Sequence, residues 1–248
     1  MGVTQHGRTE RLDLVDPSLR EWQCTVLWSD PADPEAGVVL DRSAFYPGGG
    51  GQPPDHGVLL WQGVQTRIVG TRKGDDLYLL PAPGDPVPAA GTAVTGAVED
   101  VRRSMLMRTH SGLHVLCGVV FRDFGALVTG GNMEPGEARM DFNLPDVPGD
   151  FKARLEELVN AEVAADRRID VRVLPRTQAL ALPDIIRTQS NLIPADEQEI
   201  RIVDIVGLDT QADGGTHVAA TSQIGKVSVV KVESKGKANR RVRVRVTD

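Results

Sequence analysis

The 248-residue sequence contains only two cysteines, Cys24 and Cys117, which are too few for a disulfide framework. No apolar run approaches the ~20 residues that a membrane-spanning helix needs. The opening stretch, MGVTQHGRTERLDL, is polar and lacks the apolar region of a signal peptide. Together these absences exclude a disulfide-rich secreted scaffold and predict a cytoplasmic protein. With 40% apolar and 25% charged residues, the composition is typical of a globular protein with a hydrophobic core.

Basic residues are fewer than acidic ones, 28 against 34, so the formal net charge is −6. This value argues against a protein whose whole surface binds nucleic acid. The charge is uneven, however: residues 225–248 carry eight basic and two acidic side chains, which leaves −12 on the other 224 residues. A basic edge on an acidic body suits a polyanion that touches one face. A solvated strand with outward arginines is the alternative, and the composition does not choose between the two.

The first hundred residues have the pattern of a small β-structure. Between residues 22 and 98, short alternating segments are separated by turns rich in glycine and proline, and no long helical period occurs. Such spacing predicts a small antiparallel barrel. We therefore predict an N-terminal β-barrel domain over residues 1–100.

The pattern changes after residue 100. Apolar residues recur at helical spacing over residues 102–122, and a second helix is predicted over 150–168, with Asp150 as its N-cap and arginines in its last turn. A shorter helical piece is expected near 177–187. Strands are predicted between and after these helices, including a hairpin before the second helix and two strands in the basic tail. Residues 101–248 are thus predicted to form a second domain, in which a mixed or antiparallel sheet packs against helices, giving an α+β chain.

A pair of histidines lies in the first predicted helix, in the motif HSGLH. His110 and His114 are four residues apart, which stacks their imidazoles on one helix face about 6 Å apart along the axis. This spacing allows both rings to bind one metal ion, although a single buried histidine is more often a hydrogen-bonded core residue. Cys117 lies about 10 Å from His110 along the same axis, too far to share a zinc ion with it, and is interpreted as a small buried hydrophobe.

Further ligands for a metal are sought among the other histidines and the carboxylates. His6 and His56 are candidates, but His217 has a better context, in the segment ADGGTHVAAT over residues 212–221. Two glycines separate Asp213 from His217 and allow the backbone to fold so that both side chains point the same way. Together with the helical pair these residues make a set of three histidines and one aspartate, which matches the four-ligand count of a zinc site or leaves one group loosely bound.

Several motifs together resemble one family. HSGLH followed by DGGTHVAAT is similar to the paired metal-binding motifs of the alanyl-tRNA editing proteins, which comprise the freestanding AlaX proteins and the editing domain of alanyl-tRNA synthetase. FYPGGGGQPPDHG, at 45–57, resembles the glycine-rich signature of the longer AlaX proteins, which have an N-terminal barrel domain. ARMDFN, at 138–143, resembles a strand of the same family. The resemblance runs from about Thr9 to the C-terminus. The family usually has cysteine where this chain has Asp213.

The resemblance implies a hydrolase that removes a wrong amino acid from the tRNA for alanine, with serine as the main substrate and glycine as a second. It implies one Zn²⁺ per chain, held by His110, His114, Asp213 and His217. Aspartate is a legitimate zinc ligand, but it is harder than thiolate, so the affinity could fall or the metal could be lost. The ion would position the substrate amino acid or activate a water molecule that attacks the ester. The sequence does not choose between these roles.

The remaining site predictions concern the substrate. The glycine-rich loop is predicted to approach a ribose or phosphate, with Gln52 or Asp55 holding the loop or bonding the terminal ribose. The predicted substrate-binding residues are Gly48, Gly49, Gly50, Gly51, Gln52, Asp55 and Thr216. The predicted contacts to tRNA phosphates are Lys235, Lys237, Arg240 and Arg241. The partner is the acceptor end of tRNA, and neither a membrane nor DNA is expected.

Two other functions fit parts of the sequence. One is a metal-dependent hydrolase of a small ester or amide, which the acidic net charge favours and the glycine-rich loop and basic tail do not. The other is a non-catalytic tRNA-binding homologue that has lost its metal with the replacement of cysteine. The first alternative is tested by comparing the hydrolysis of aminoacyl-tRNA with that of a small ester. The second is tested by the metal content of the purified protein.

Overall fold

The computed structural model describes residues 9–191, 193–236 and 238–248, without the side chain of Pro34. Its α-helices are α1 Leu12–Val15, α2 Asp100–Phe124, α3 Phe151–Ala164 and α4 Arg176–Leu180. Its strands are β1 Glu10–Arg11, β2 Glu21–Ser29, β3 Val38–Leu40, β4 Arg42–Ser43, β5 Gly57–Trp61, β6 Val64–Lys73, β7 Leu77–Pro81, β8 Ala93–Val98, β9 Val128–Glu134, β10 Glu137–Phe142, β11 Ile169–Pro175, β12 Glu199–Ile205, β13 Asp209–Ala212, β14 Lys226–Ser234 and β15 Arg240–Thr247. The chain has an α+β fold, as predicted.

The described chain divides into two compact units. Residues 9–49 and 53–104 form the first, called the barrel unit, and residues 50–52 and 105–248 form the second, called the helix–sheet unit. The assignment of residues 1–100 to a barrel domain and 101–248 to an editing domain stays a prediction.

The barrel unit is built around a closed antiparallel barrel with the strand order β2-β3-β7-β6-β5-β8. Alternate residues of its strands point inward, and Ile68 on β6 and Leu79 on β7 are both buried. Closure gives every strand of this sheet two neighbours, so short segments that could not fold alone share one core. The predicted antiparallel barrel is confirmed.

The helix–sheet unit is built around α2. Its residues from 109 to 120 are buried on all sides, which is the expected state of a helix that is apolar around most of its circumference. The unit contains a four-stranded sheet, in the order β14-β15-β10-β9, and a three-stranded sheet, in the order β11-β12-β13. Gly118 of α2 faces the start of β13, where a Cβ would lie 2.9 Å from Cβ of Asp209, so only glycine allows this approach. No helix among the described residues, α2 included, is long and apolar enough to cross a lipid bilayer.

The ends of two predicted helices are corrected by the structure. The second helix ends at Ala164, since Asp166 adopts a left-handed backbone with φ of +50°, so Arg167 and Arg168 lie beyond the last turn. Asp150 occupies the N-cap position, but its side chain makes no capping hydrogen bond. The piece expected near 177–187 is helical only at Arg176–Leu180. A helix that continued to 187 is disfavoured by Pro183, which restricts the conformation of the residue before it.

Candidate metal centre

The first half of the candidate site comes from α2. His110 and His114 are 4% and 7% exposed, and their ring centroids are 5.0 Å apart. The one-turn spacing predicted from HSGLH therefore places both imidazoles on the same face of the helix. Cys117 is 2% exposed and packs into the hydrophobic core, as its spacing from the histidines indicated.

The second half of the site follows β13, in the turn that begins at Asp213. The backbone of Asp213 is tied to the buried Arg201 of β12, whose carbonyl oxygen accepts the Asp213 N–H at 3.1 Å. The Arg201 guanidinium in turn donates to the Asp213 carbonyl oxygen at 3.1 Å. One carboxylate oxygen of Asp213 accepts the backbone N–H of Gly215 at 2.6 Å, which fixes the side-chain orientation. The turn returns His217 toward the helix, 3% exposed.

The two halves converge. Ligand atoms of His110, His114, Asp213 and His217 all lie within 4.8 Å of one another. Asp213 Oδ1 is 3.6 Å from Nε2 of His110 and 3.8 Å from Nε2 of His114, while Asp213 Oδ2 is 3.0 Å from Nε2 of His217. The His217 ring lies 4.7 Å from each of the other two ring centroids. Sequence positions about a hundred residues apart thus meet in one buried cluster.

This donor set fits a zinc ion. Four tetrahedral ligands about 2.1 Å from zinc lie about 3.4 Å from one another. The distances from Asp213 oxygens to the three histidine Nε2 atoms, 3.0, 3.6 and 3.8 Å, lie around that value. The hydrogen bonds of the histidines also fit metal binding. A metal-binding imidazole usually donates a hydrogen bond to a neighbour from the ring nitrogen that does not bind the metal. Nδ1 of His110 lies 2.8 Å from Oε1 of Gln52, and Nδ1 of His217 lies 3.3 Å from Oγ of Ser111. Both contacts leave the Nε2 atoms directed at the cluster.

The protonation states of the cluster also favour a cation. Burial raises the pKa of Asp213, but interactions with His110, His114 and His217 outweigh it and hold this pKa well below its ordinary value. Burial lowers the pKa of His110 to about 4, against the opposing charge of Asp213. Burial also lowers the pKa of His217 well below its ordinary value, despite its hydrogen bond to Asp213. Asp213 is therefore ionised and both imidazoles are neutral near pH 7, the forms that bind metals.

A cleft of about 560 Å³ in the helix–sheet unit opens onto the cluster. His110, His114 and Asp213 line it, together with Gly50, Gly51 and residues of β9 and of the segment 185–191. Its walls mix apolar side chains with polar ones. The volume and the mixed lining are those of a small-molecule site.

The chain is similar to known proteins over most of its length. The family model described as the threonyl and alanyl tRNA synthetase second additional domain matches residues 200–243, which include Asp213 and His217. The alanyl-tRNA editing protein AlaX-M of Saccharolobus solfataricus is 35% identical over 241 residues, covering 94% of this chain and 97% of the relative. AlaX-M of Methanosarcina barkeri is 32% identical over 245 residues, covering 97% of this chain and 100% of the relative. The chain belongs to the alanyl-tRNA editing protein family.

The family extends into larger proteins. The alanine–tRNA ligase of Pyrobaculum neutrophilum is 35% identical over 238 residues, which are 93% of this chain but only 26% of the ligase. This editing-family chain therefore corresponds to one part of that ligase.

The glycine-rich segment of this editing-family chain falls into both units. Gly48, Gly49, Gly50 and Gly51 all have positive φ, a conformation that favours glycine. Gly50 and Gly51 line the cleft, whereas Gly48 and Gly49 belong to the barrel unit.

Two predicted substrate residues next to the cluster are buried. Gln52 and Thr216 are 2% and 1% exposed, and the Gln52 amide donates to Oγ1 of Thr216 at 2.9 Å.

Asp55 lies in the barrel unit and is fully buried. Its carboxylate accepts hydrogen bonds from the Arg103 guanidinium and from the backbone N–H of Tyr46. Of the two roles predicted for Asp55, these contacts are those of a residue that holds the loop.

The predicted tRNA contacts lie on the β14–β15 hairpin. Lys235 is exposed in its turn, and Arg240 is partly buried, with its guanidinium bonded to the Asn239 carbonyl oxygen at 3.2 Å. Arg241 is neutralised by Asp141, with two contacts of 2.7 Å. Lys237 lies outside the described residues.

Sequence reasoning missed two residues that support the site. Ser111 accepts the backbone N–H of Val218 at 3.1 Å and contacts His217, and Arg201 anchors the turn at Asp213. An arginine flanked by isoleucines in the strand EIRIVDIVG is a detectable signal, because a buried charge requires a polar partner.

Proposed function

We propose that this chain hydrolyses the ester between a wrongly attached amino acid and the tRNA for alanine, with serine as the main substrate and glycine as the second. The observation that carries this proposal is the convergence of His110, His114, Asp213 and His217 at a cleft of about 560 Å³. The names of the relatives support it, since those of similar length are called alanyl-tRNA editing proteins.

The four clustered side chains would hold one Zn²⁺ per chain. Such an ion supplies Lewis-acid polarisation of an ester carbonyl or of a water molecule. The chain's own contribution is orientation: Gly215 fixes the Asp213 carboxylate, and Gln52 and Ser111 hold the outer nitrogens of His110 and His217. Because the four ligands are buried, and because Asp213 is ionised while His110 and His217 are neutral near pH 7, little rearrangement is required to bind a cation.

A hydrolytic site separate from the synthetase pocket is needed because that pocket discriminates only weakly between similar amino acids. A pocket sized for alanine discriminates against an added hydroxyl only about 10²-fold, whereas a site that hydrogen-bonds that hydroxyl rejects the analogue lacking it by about 10⁴-fold or more. Thr129, Asn132, Thr188 and Gln211 line the cleft and carry the polar groups that would meet a serine hydroxyl. Correctly charged Ala-tRNA would not make this bond and would be spared.

The basic hairpin is the proposed contact to tRNA phosphates. Lys235 and Arg240 are its leading candidates, because no carboxylate among the described residues lies within ion-pair distance of either side chain. Arg241, although included in the sequence prediction, contributes less net charge because Asp141 compensates it.

Substrate preference tests the proposal. We expect purified protein to release serine from Ser-tRNA for alanine at least about 10²-fold faster than it releases alanine from Ala-tRNA, with Gly-tRNA between them. The control substrate is a small seryl ester at the same concentration. Equal efficiency on the small ester would support a small-ester hydrolase instead, and tRNA binding without turnover or metal would support a non-catalytic homologue.

The glycine-rich loop is tested by Gly49→Val. Gly49 has φ of +126°, a backbone conformation that valine rarely adopts, so valine would strain the loop. Strain of this kind costs about 1–3 kcal/mol, and we expect at least about a tenfold loss of Ser-tRNA hydrolysis by a chain that remains folded. Gly84→Val is the matched control, because Gly84 also has positive φ but no neighbour within 4 Å of a Cβ. Wild-type activity of Gly49→Val would assign the loop a purely structural role.

A further inference from the structure

Gln52 lies beside the metal-binding cluster within the helix–sheet unit and is 2% exposed. Its Oε1 atom lies 2.8 Å from Nδ1 of His110 and accepts the backbone N–H of Thr216 at 3.1 Å. Its Nε2 atom donates to Oγ1 of Thr216 at 2.9 Å. One amide therefore contacts a ligand on α2 and the turn that carries the other two ligands.

These contacts determine the tautomer of His110. The backbone N–H of Thr216 can only donate, so the amide atom facing it must be the oxygen of Gln52. The same oxygen faces Nδ1 of His110, and Nδ1 must therefore carry the proton and donate it. The lone pair of the ring then lies on Nε2, the nitrogen 3.6 Å from Oδ1 of Asp213. In this state His110 is prepared to bind a cation.

The turn is shaped around this contact. A Cβ on Gly215 would lie 2.0 Å from Cε1 of His110 and 2.9 Å from Oε1 of Gln52. Any other residue at 215 would displace the imidazole or the amide. The absent side chain and the three hydrogen bonds are independent observations, and both indicate that the Gln52–His110 contact is built into the site.

We propose that Gln52 is a positioning residue of the metal site, which holds His110 in its Nδ1-protonated tautomer and ties residues 50–52 to the ligand-bearing turn. This role replaces the contact to the terminal ribose as the main function of Gln52, since the amide is buried and bonds His110 and Thr216. The inference rests on the proposed metal site and adds to it the residue that sets the ligand's orientation.

Metal affinity of the full chain tests this inference. Gln52→Leu keeps a side chain of similar size but removes the acceptor, and we expect zinc affinity to fall about 10–100-fold, as for other outer-shell partners of ligating histidines. The affinity is measured by competition with a chromogenic chelator. The visible absorption of the Co²⁺-substituted protein should also change in band position or intensity, since it reports the geometry of the ligands directly.

Two further variants keep the test decisive. Gln52→Glu retains an acceptor for His110, and we expect its zinc affinity to equal or exceed that of the wild type. Asn160→Leu removes another amide of the same unit, which bonds β14 at Val227, and we expect unchanged zinc affinity and an unchanged Co²⁺ spectrum. A tenfold loss in Gln52→Glu, or wild-type affinity in Gln52→Leu, would overturn the inference. Absence of zinc affinity in the wild-type chain would overturn the proposed metal site itself. That result is distinct from failure of the Gln52 inference, because it is measured without the variants.

Discussion

His114→Ala is expected to lose its zinc and to hydrolyse Ser-tRNA at least about 100-fold more slowly than the wild type. Changes to the hydrogen-bond partners of metal ligands cost about 10–100-fold, and removal of a ligand itself is expected to cost no less than the upper end of that range. His114 lies on the buried face of α2, with its ring 5.0 Å from that of His110 and 4.7 Å from that of His217. Alanine would leave only three of the four side chains proposed to hold the ion. The measurements are zinc per chain by elemental analysis and the rate of labelled serine release.

The control for this prediction is His56→Ala, which removes a histidine of the barrel unit outside the cluster. We expect it to keep both its zinc and its activity. If His114→Ala retained the zinc content and rate of the wild type, His114 would not be a ligand, and the cluster would have to be interpreted as a hydrogen-bonded group of core histidines.

Asp55→Asn is expected to lower the free energy of unfolding by about 3–5 kcal/mol, the cost of leaving a buried charge without its partner. Asp55 and Arg103 form an ion pair whose side chains are both 0% exposed. Arg103 also donates to the carbonyl oxygens of Ala44 and Pro17, so it remains held in the interior after its counter-charge is lost. Denaturant-induced unfolding followed by circular dichroism measures the loss.

Asp85→Asn provides the matched control in the same unit. Asp85 also makes a two-point contact with an arginine, Arg67, but the Arg67 side chain is 60% exposed and water replaces the interaction. We expect a much smaller loss of stability than in Asp55→Asn. Comparable stability of the two variants, with loss of Ser-tRNA hydrolysis only in Asp55→Asn, would instead favour the predicted contact of Asp55 with the substrate.

An aspartate at position 213 has a physical consequence for the cluster. Its Oδ1 atom faces His110 and His114, while its Oδ2 atom accepts the Gly215 N–H and faces His217. A single sulfur atom, as in the cysteine that the family usually has, could not occupy both positions. The carboxylate thus bridges the helix and the turn.

Local patterns made much of the fold predictable. The apolar spacing of α2 predicted its existence and nearly its bounds. The alternation of the first hundred residues predicted the barrel, because alternate residues of a strand face the core. The end of α3 was missed since it depends on a left-handed backbone at Asp166, a residue type that does not require this conformation. Helix ends are set by such local choices, which periodicity does not record.

The site was predictable only in part. The four-residue spacings of His110–His114 and Asp213–His217 identified the candidate ligands, their residue types suggested one four-ligand set, and the resemblance to editing proteins supported that set. The contact of Gln52 with His110 joins positions 58 residues apart, and that of Asp55 with Arg103 joins positions 48 residues apart. No local period encodes such pairs. The sequence therefore predicted that the glycine-rich loop contacts the substrate, but not that Gln52 contacts His110 or that Asp55 pairs with Arg103.

The central claim is that the buried cluster holds a metal on which removal of serine from tRNA depends. Its most direct test is the zinc content of the purified full chain, measured together with Ser-tRNA hydrolysis before chelation, after chelation and after zinc is restored. We predict one zinc ion per chain, loss of hydrolysis with loss of zinc, and recovery on its return. An undiminished rate in protein stripped of metal would contradict the claim.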